Sequence, residues 1–257
     1  MYPCILFALR REAQPFYRSF PVRRPLSPAP CPAWLCGTSL QRVLVLESGV
    51  GAERCGQALR WLTESYLPGQ GLLQPLFLVA AGFAGALRAE CKVGDVILAT
   101  EVVDQGGRRW PRHPEAGEAG REGTLWRHGG VLSTANMIGD PHEKRQLGER
   151  FGAVAVDMES AVAARFCAER GIPFSCVRVI SDAVDTPLSP QLVRLLSGSE
   201  VRVASLLAAL ARSPGLVFEL WRLARDTRRA AQRLARALVH LLGRGDGSPT
   251  PATTGAC

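Results

Sequence analysis

AVDMESA at residues 155–161 and CVRVISD at residues 176–182 are the two stretches that decide the fold of this chain. In each of them an apolar run, which predicts a buried strand, leads into a short polar segment. The first stretch places Glu159 at the start of a predicted helix, and the second places Asp182 just past the end of a predicted strand. Because these carboxylates lie on consecutive elements of an α/β fold, we expect them to flank one small ligand.

The rest of the sequence up to Asp182 alternates apolar runs with helical patterns. This alternation predicts a three-layer α/β/α sandwich with a central mixed sheet, covered by helices on both faces. The predicted strands cover residues 4–9, 43–46, 76–81, 96–100, 131–135, 153–157 and 172–180; the predicted helices cover 52–66, 142–151 and 158–170; and the predicted irregular loops cover 21–32 and 105–123.

The C-terminal part differs in character, and we divide the chain into a main domain at 1–198, a helical extension at 199–243 and a disordered tail at 244–257. Apolar positions recur at helical spacing within 214–243, with the arginines elsewhere on the helix. Those positions are Leu216, Leu220, Leu223, Thr227, Ala230, Leu234, Leu238 and Leu241. The leucine face is expected to pack on the domain or on a partner subunit. The alternative is peripheral contact with an anionic membrane, and the absence of interleaved aromatic residues argues against nucleic acid.

Composition restricts the classes of protein that fit. The net charge is +8, and almost every cation is arginine, since Lys92 and Lys144 are the only lysines. The eight cysteines form no CxxC pair and the four histidines have no metal-ligand spacing, so we expect no metal, no organic cofactor and reduced thiols. The apolar N-terminal run is too short for a signal peptide, and no run is long enough to span a membrane. These features predict a cytoplasmic protein.

Several weak signals converge on the carboxyl ends of the predicted strands. Gly49 and Gly51 suggest a dinucleotide fingerprint, but Arg54 stands where the third glycine is required, so a tight turn is the better interpretation. Glu12 follows the first strand and, like Glu159, would alone be an ordinary acid near a helix start. Sites in open α/β sheets lie at this edge, so their convergence predicts a site.

Four motifs carry a resemblance to a known family. VDMESA, VRVISD, the AGFAGAL turn followed by KVGDV, and FALRREA resemble the nucleoside phosphorylase/nucleosidase superfamily over residues 4–185. The closer likeness is to the methylthioadenosine/S-adenosylhomocysteine nucleosidase branch, and within it to the hopanoid-associated phosphorylases, which include adenosylhopane nucleosidases. Residues 213–226 are similar to the C-terminal extension of that group.

The resemblance implies a role for each matching residue. Asp182 would be the general acid that protonates N7 of a purine, Ser181 would orient it, and Glu12 would position the attacking water. The other implied site residues bind substrate: Glu159 through the ribose hydroxyls, Met158 against the sugar, Met137 and Ile138 at the base, and Gly82 and Phe83 at the glycine turn. To donate a proton at neutral pH, Asp182 is expected to be kept protonated by burial or by neighbouring acids.

Two departures from the family pattern refine the expected function. Residues 79–81 lack the arginine with which phosphorylases hold phosphate, and Phe83 replaces the usual serine of the nucleosidases. The first favours water as the nucleophile, and the second favours a more apolar substrate, such as a lipid-linked adenosyl compound. The expected function is therefore hydrolytic release of a purine, with adenine favoured. The alternatives are a phosphate-dependent phosphorylase and a catalytically silent nucleoside-binding protein; the superfamily likeness also implies a homo-oligomer.

Overall fold

The computed structural model describes residues 2–37, 42–72, 75, 77–114, 116, 126–188 and 214–243, with side chains of the last helix described from 225 to 242. The strands are β1 Cys4–Phe7, β2 Val22–Pro25, β3 Ala33–Gly37, β4 Arg42–Glu47, β5 Leu78–Ala86, β6 Val96–Asp104, β7 Arg109–Pro111, β8 Arg127–Ser133, β9 Ala153–Asp157 and β10 Phe174–Asp182. The helices are α1 Arg10–Tyr17, α2 Ala52–Trp61, α3 Pro141–Phe151, α4 Ser160–Arg170 and α5 Pro214–Gly243. A π-helical turn, Leu62–Tyr66, and a last turn, Leu67–Gly69, continue α2.

Within the described residues the strands form one mixed sheet. Its open half has the order β2-β3-β4-β1-β5. Beyond β5 the sheet closes on itself, because β5 pairs with both β10 and β9, and β10-β6-β8-β9 completes the ring. The central pairs β4-β1-β5-β10 are all parallel, so these strands end at the same edge of the sheet.

Helices cover both faces of the sheet, which confirms the predicted three-layer arrangement. Side chains of α2 and α4 pack into one hydrophobic core, and side chains of α1 and α5 pack into a second core on the opposite face. The central strands are apolar on both sides because both sides are covered; β1, for example, is buried throughout.

The structure differs from the predicted elements in two places that matter. The segment predicted as a loop over residues 21–32 contains β2, an exposed edge strand that lacks the alternation by which strands are recognised. The predicted turn after residue 81 is wrong, since β5 continues to Ala86. Its register places Gly82 opposite Arg178 and Gly85 opposite Asp182, so the glycines make room for side chains of the next strand.

The last helix packs against the domain along the predicted face. Thr227, Ala230, Leu234, Leu238 and Leu241 are all buried, and α5 contacts α1 as well as β5, β6 and β10. This packing agrees with the interpretation that the leucine face of the helix packs on the domain.

Residues 199–213 and the predicted disordered tail at 244–257 lie outside the described residues. Within the described part, no helix combines the length and the apolar character needed to cross a membrane.

Candidate active site

A cavity of about 270 Å³ lies at the carboxyl ends of the central strands. This volume is slightly below the range for small-molecule sites, which starts at about 300 Å³. Of the site residues predicted from the sequence, all but Gly82 line it: Glu12, Phe83, Met137, Ile138, Met158, Glu159, Ser181 and Asp182. Sheet order explains the convergence, since β1, β5 and β10 are neighbours and β9 also pairs with β5.

Glu12 is the most firmly held of the three predicted acids. Its Oε2 accepts hydrogen bonds from the backbone N–H groups of Ala8 (3.0 Å) and Leu9 (2.8 Å), where β1 turns into α1. Its Oε1 accepts a third from the N–H of Phe83 at 2.8 Å. Burial raises the pKa of Glu12, and the backbone hydrogen bonds and the charge of Arg178 offset only part of that rise. The result is a fixed carboxylate that takes up a proton more readily than an exposed one.

Gly82 does not line the cavity, so the close approach of a ligand does not explain why this residue is a glycine. The side chains around it do explain it. A side-chain carbon at this position would lie 2.5 Å from Nη1 of Arg178 and 2.8 Å from Oε1 of Glu12. The missing side chain is therefore the space in which these two charged groups meet.

Arg178 and Asp157 form a buried ion pair beneath the cavity. The side chains are 2% and 1% exposed, and the Asp157 carboxylate also accepts hydrogen bonds from the N–H and the hydroxyl group of Ser160 at the start of α4. Burial is the largest single effect on Arg178 and disfavours its charge, but Asp157 together with the other negative groups around it, Glu159 and Glu12 among them, raises the pKa of the guanidinium. Neither Arg178 nor Asp157 is among the site residues predicted from the sequence. The available signal was a single charge inside the apolar run of β10.

Glu159 lies at the N-cap of α4 and faces the turn after β4. Its Oε1 accepts a hydrogen bond from the N–H of Gly51 at 2.8 Å, and Gly51 has a left-handed φ of 99°. The tight turn at Gly49–Gly51 thus offers an N–H group to a protein carboxylate. Burial and then the charge of Asp157 raise the pKa of Glu159 to about 7, against the opposing effect of Arg178. This carboxylate can therefore exchange a proton near neutral pH.

Asp182 is held at two points. Its Oδ1 accepts a hydrogen bond from the hydroxyl group of Ser181 at 2.7 Å, so this serine contacts the carboxylate that it is predicted to orient. Its Oδ2 lies 2.5 Å from Nζ of Lys144, a fully buried lysine on α3. The sequence predicted burial or neighbouring acids around Asp182. The side chain is largely buried, at 11% exposed, but the charged group beside it is an ammonium group and not an acid. Lys144 was missed because a lysine in an amphipathic helix resembles a solvated one.

Apolar and half-buried side chains form the remaining walls. Met137 and Ile138 belong to the segment between β8 and α3, and Met158 lies between Asp157 and Glu159. Thr134, which sequence analysis did not single out, also lines the cavity and donates a hydrogen bond to the carbonyl of Asn136 at 2.8 Å. Among the described residues, no cluster of histidine, cysteine and acidic side chains could hold a metal ion.

Comparison with protein families places most of the chain in one of them. The model of the phosphorylase superfamily matches residues 4–212. A 5′-methylthioadenosine/S-adenosylhomocysteine nucleosidase from Exiguobacterium sp. is 26% identical over an alignment of 194 residues that covers 66% of this chain and 80% of that protein. A nucleosidase of the same description from Halalkalibacterium halodurans is 26% identical over 192 residues, with the same coverage.

Solved structures share the fold over nearly the whole chain. The 5′-methylthioadenosine/S-adenosylhomocysteine nucleosidase of Campylobacter jejuni superposes with a TM-score of 0.69 at 15% identity and covers 95% of this chain and 99% of its own. The corresponding nucleosidase of Neisseria meningitidis, in complex with methylthio-immucillin-A, gives 0.69 at 18% identity with the same coverage. Futalosine hydrolase of Helicobacter pylori gives 0.68 at 18% identity, covering 95% of this chain and 98% of its own. At these identities the likeness establishes the fold.

Proposed function

Because the chain belongs to the phosphorylase superfamily, we propose that it is a nucleosidase that releases adenine from a nucleoside by hydrolysis. The resemblance to this superfamily, and the prediction of an enzyme of the nucleosidase or phosphorylase class, are confirmed by the comparisons. One observation supports the proposed reaction above all others: the carboxylates of Glu12, Glu159 and Asp182, distant along the chain, face one cavity of small-molecule size.

The proposed mechanism follows from how charge develops when an N-glycosidic bond breaks. Positive charge grows on the sugar and negative charge on the departing base, as in glycoside hydrolysis. Glu159, beside Met158, is assigned to the ribose hydroxyls, where its negative charge stabilises the sugar cation. Asp182 is assigned to N7 of the purine, where a proton relieves the negative charge of the base. General acid assistance of this type is worth about 10²–10⁴-fold in rate.

Glu12 is assigned to the nucleophile. Its carboxylate is fixed by three backbone N–H groups, and its raised pKa suits a group that takes a proton from the attacking water. Met137 and Ile138 are assigned to the base, and Phe83 lines the same cavity.

Water is favoured over phosphate by the charge of the cavity. Four carboxylates line it, and Arg11 and Arg54 are the cations among its described lining residues. A phosphate dianion placed near C1′ of the sugar would be repelled by several of these carboxylates in a partly desolvated site. Two further cations near the cavity, Arg178 and Lys144, are buried and already paired, with Asp157 and Asp182 respectively.

The 5′ substituent of the substrate is proposed from the side of the cavity that the base and the sugar leave open. We assign this side to Leu9 and Phe83, which are apolar lining residues of the cavity, and to Arg11, which also lines a second hollow of about 580 Å³ together with Arg18 and Arg228. A substituent that is apolar near the ribose and anionic at its far end would suit both parts. The resemblance to the hopanoid-associated group implied a lipid-linked adenosyl compound. Such a compound would match the apolar lining of the cavity but not the arginine side chains of the second hollow.

The test is a product analysis with purified protein. Adenosine and methylthioadenosine are incubated with and without inorganic phosphate, and adenine, free sugar and sugar phosphate are measured. We expect adenine and free sugar in both conditions. A sugar phosphate that forms only with phosphate would replace the hydrolase by a phosphorylase, and a complete lack of adenine would support the silent nucleoside-binding protein.

A second assay addresses the 5′ group. Two adenosines with 5′-thioether chains of equal length, one ending in a methyl group and one in a carboxylate, are compared by kcat/KM. We expect the carboxylate to be preferred, and we expect Arg228→Gln to remove the preference while the exposed control Arg229→Gln keeps it. Equal values of kcat/KM for the two substrates would refute the anionic end.

The predicted homo-oligomer, cytoplasmic location and membrane contact of residues 214–243 stay predictions.

A further inference from the structure

Lys144 is an unusual residue to find in a protein interior. Its side chain has no exposed surface, although lysine is among the residues that folded proteins bury least often. The chain contains 31 lysine and arginine residues, and only Lys92 and Lys144 are lysines. Lys92 is exposed. A buried ammonium group requires an explanation, because its desolvation costs several kcal/mol unless it is paired and hydrogen-bonded.

The contacts of Lys144 use all three of its hydrogens. Nζ lies 2.5 Å from Oδ2 of Asp182, 3.3 Å from the carbonyl oxygen of Ala183 and 3.4 Å from that of Thr186. An ammonium group has three donors and no acceptor, so this environment satisfies it completely. The same contacts tie the segment after β10 to the start of α3.

Lys144 contacts Asp182 on the side that faces away from the cavity. Asp182 lines the cavity, whereas Lys144 does not and approaches the carboxyl group from the protein side. Gly85 closes a third side, since a side-chain carbon there would lie 3.0 Å from Oδ2. An ammonium group beside a carboxylate favours the ionised carboxylate. Nζ of Lys144 is thus placed to share a proton with Asp182, and of the two side chains only Asp182 lines the cavity.

We propose that Lys144 is a positioning residue for Asp182 and holds the proton that the departing purine takes up. This inference rests on the proposed nucleosidase function. The bond between C1′ and the purine breaks and its electron pair goes to the base. The base takes a proton from Asp182, which receives one from Nζ of Lys144. Water adds to C1′ and gives its proton to Glu12. After the products leave, Glu12 releases this proton to solvent and Lys144 takes one up from solvent.

A pair of leaving groups separates this role from a structural one. Adenine must be protonated before it departs, whereas 4-nitrophenolate departs readily as an anion. Cleavage of 4-nitrophenyl β-D-ribofuranoside therefore does not need the general acid Asp182. For Lys144→Met we expect kcat on adenosine to fall about 10²-fold or more, with little change in KM and with cleavage of the nitrophenyl riboside retained. Asp182→Asn should show the same pattern, and the exposed control Lys92→Met should match the wild type on both substrates.

A second variant distinguishes positioning from storage of the proton. Lys144→Gln keeps an N–H donor for the carboxyl group of Asp182 but carries no transferable proton. It also serves as the test variant if Lys144→Met does not fold. We expect the glutamine variant to fold and to remain defective on adenosine alone. Equal losses on both substrates in the folded variant, or unchanged adenosine turnover, would overturn the proposal.

The scarcity of lysine allows a test that does not depend on activity. Protein labelled with ¹⁵N-lysine has two side-chain signals, which Lys92→Met assigns. We expect Asp182→Asn to shift the Lys144 signal and leave the Lys92 signal in place; an unmoved Lys144 signal would overturn the ion pair and the proposal with it. Failure of the wild-type protein to cleave either substrate would instead contradict the proposed function, and the two failures are thus distinguishable.

Discussion

Glu159→Gln should make the protein less dependent on pH for its stability, because Glu159 is a buried acid with a raised pKa. The pKa rises from 4.5 to about 7, chiefly through burial and then through the charge of Asp157. The folded chain therefore holds a proton between these pH values that the unfolded chain has lost. Stability from this group is fully present below about pH 4.5 and is lost as the pH rises through 7.

The size of the effect follows from the shift. At about 1.4 kcal/mol per pKa unit, the change from 4.5 to about 7 corresponds to an upper value of ~3 kcal/mol. The glutamine has no ionised form and can still accept the hydrogen bond from Gly51. Relative to the wild type, the variant should therefore gain up to ~3 kcal/mol in free energy of unfolding between pH 4.5 and pH 8. For a chain of this size that corresponds to a relative shift in Tm of about 6–12 °C.

The assay is thermal unfolding, followed by circular dichroism at a series of pH values from 4.5 to 8.5. Glu53→Gln is the matched control, because Glu53 is an exposed acid in the first turn of α2. The control should keep the wild-type pH dependence. Parallel curves for the wild type and Glu159→Gln would refute the reasoning, since they would mean that Glu159 does not titrate differently in the folded and unfolded chains. The variant is also expected to lose turnover, so that a more stable protein would be a less active one.

The remaining predictions concern the site and its support. Gly82→Ala should lower both turnover and stability, because the added carbon would collide with Arg178 and Glu12, whereas Gly69→Ala, with open space around it, should be close to neutral in the same assays. Leu238→Ala on α5 should lower the free energy of unfolding by about 2–5 kcal/mol, since Leu238 is fully buried; equal effects of this change and of Val239→Ala, which is 39% exposed, in urea titrations would contradict the packing of α5.

Much of the fold could be predicted because it depends on local patterns. Apolar runs marked β1, β4 and β10, and helical spacing marked the face of α5 from Thr227 to Leu241. Elements without such a pattern were missed. The edge strand β2 is exposed on every residue, and β5 continues through glycines that normally indicate a turn. In both cases pairing with a neighbouring strand, which is not encoded locally, overrides the local preference.

The sequence by itself determined that acids follow the strands, because the apolar runs that form the strands can be recognised locally and the acids stand directly after them. It also determined the superfamily, through motifs that include Glu12, Glu159 and Asp182. Only the tertiary structure decided the partner of each charge. The N–H of Gly51 binds a carboxylate 108 residues away, and Lys144 meets Asp182 across 38 residues. Such pairs are set by the order of the strands and by desolvation, which depends on what surrounds a group in space and not on its neighbours in the chain.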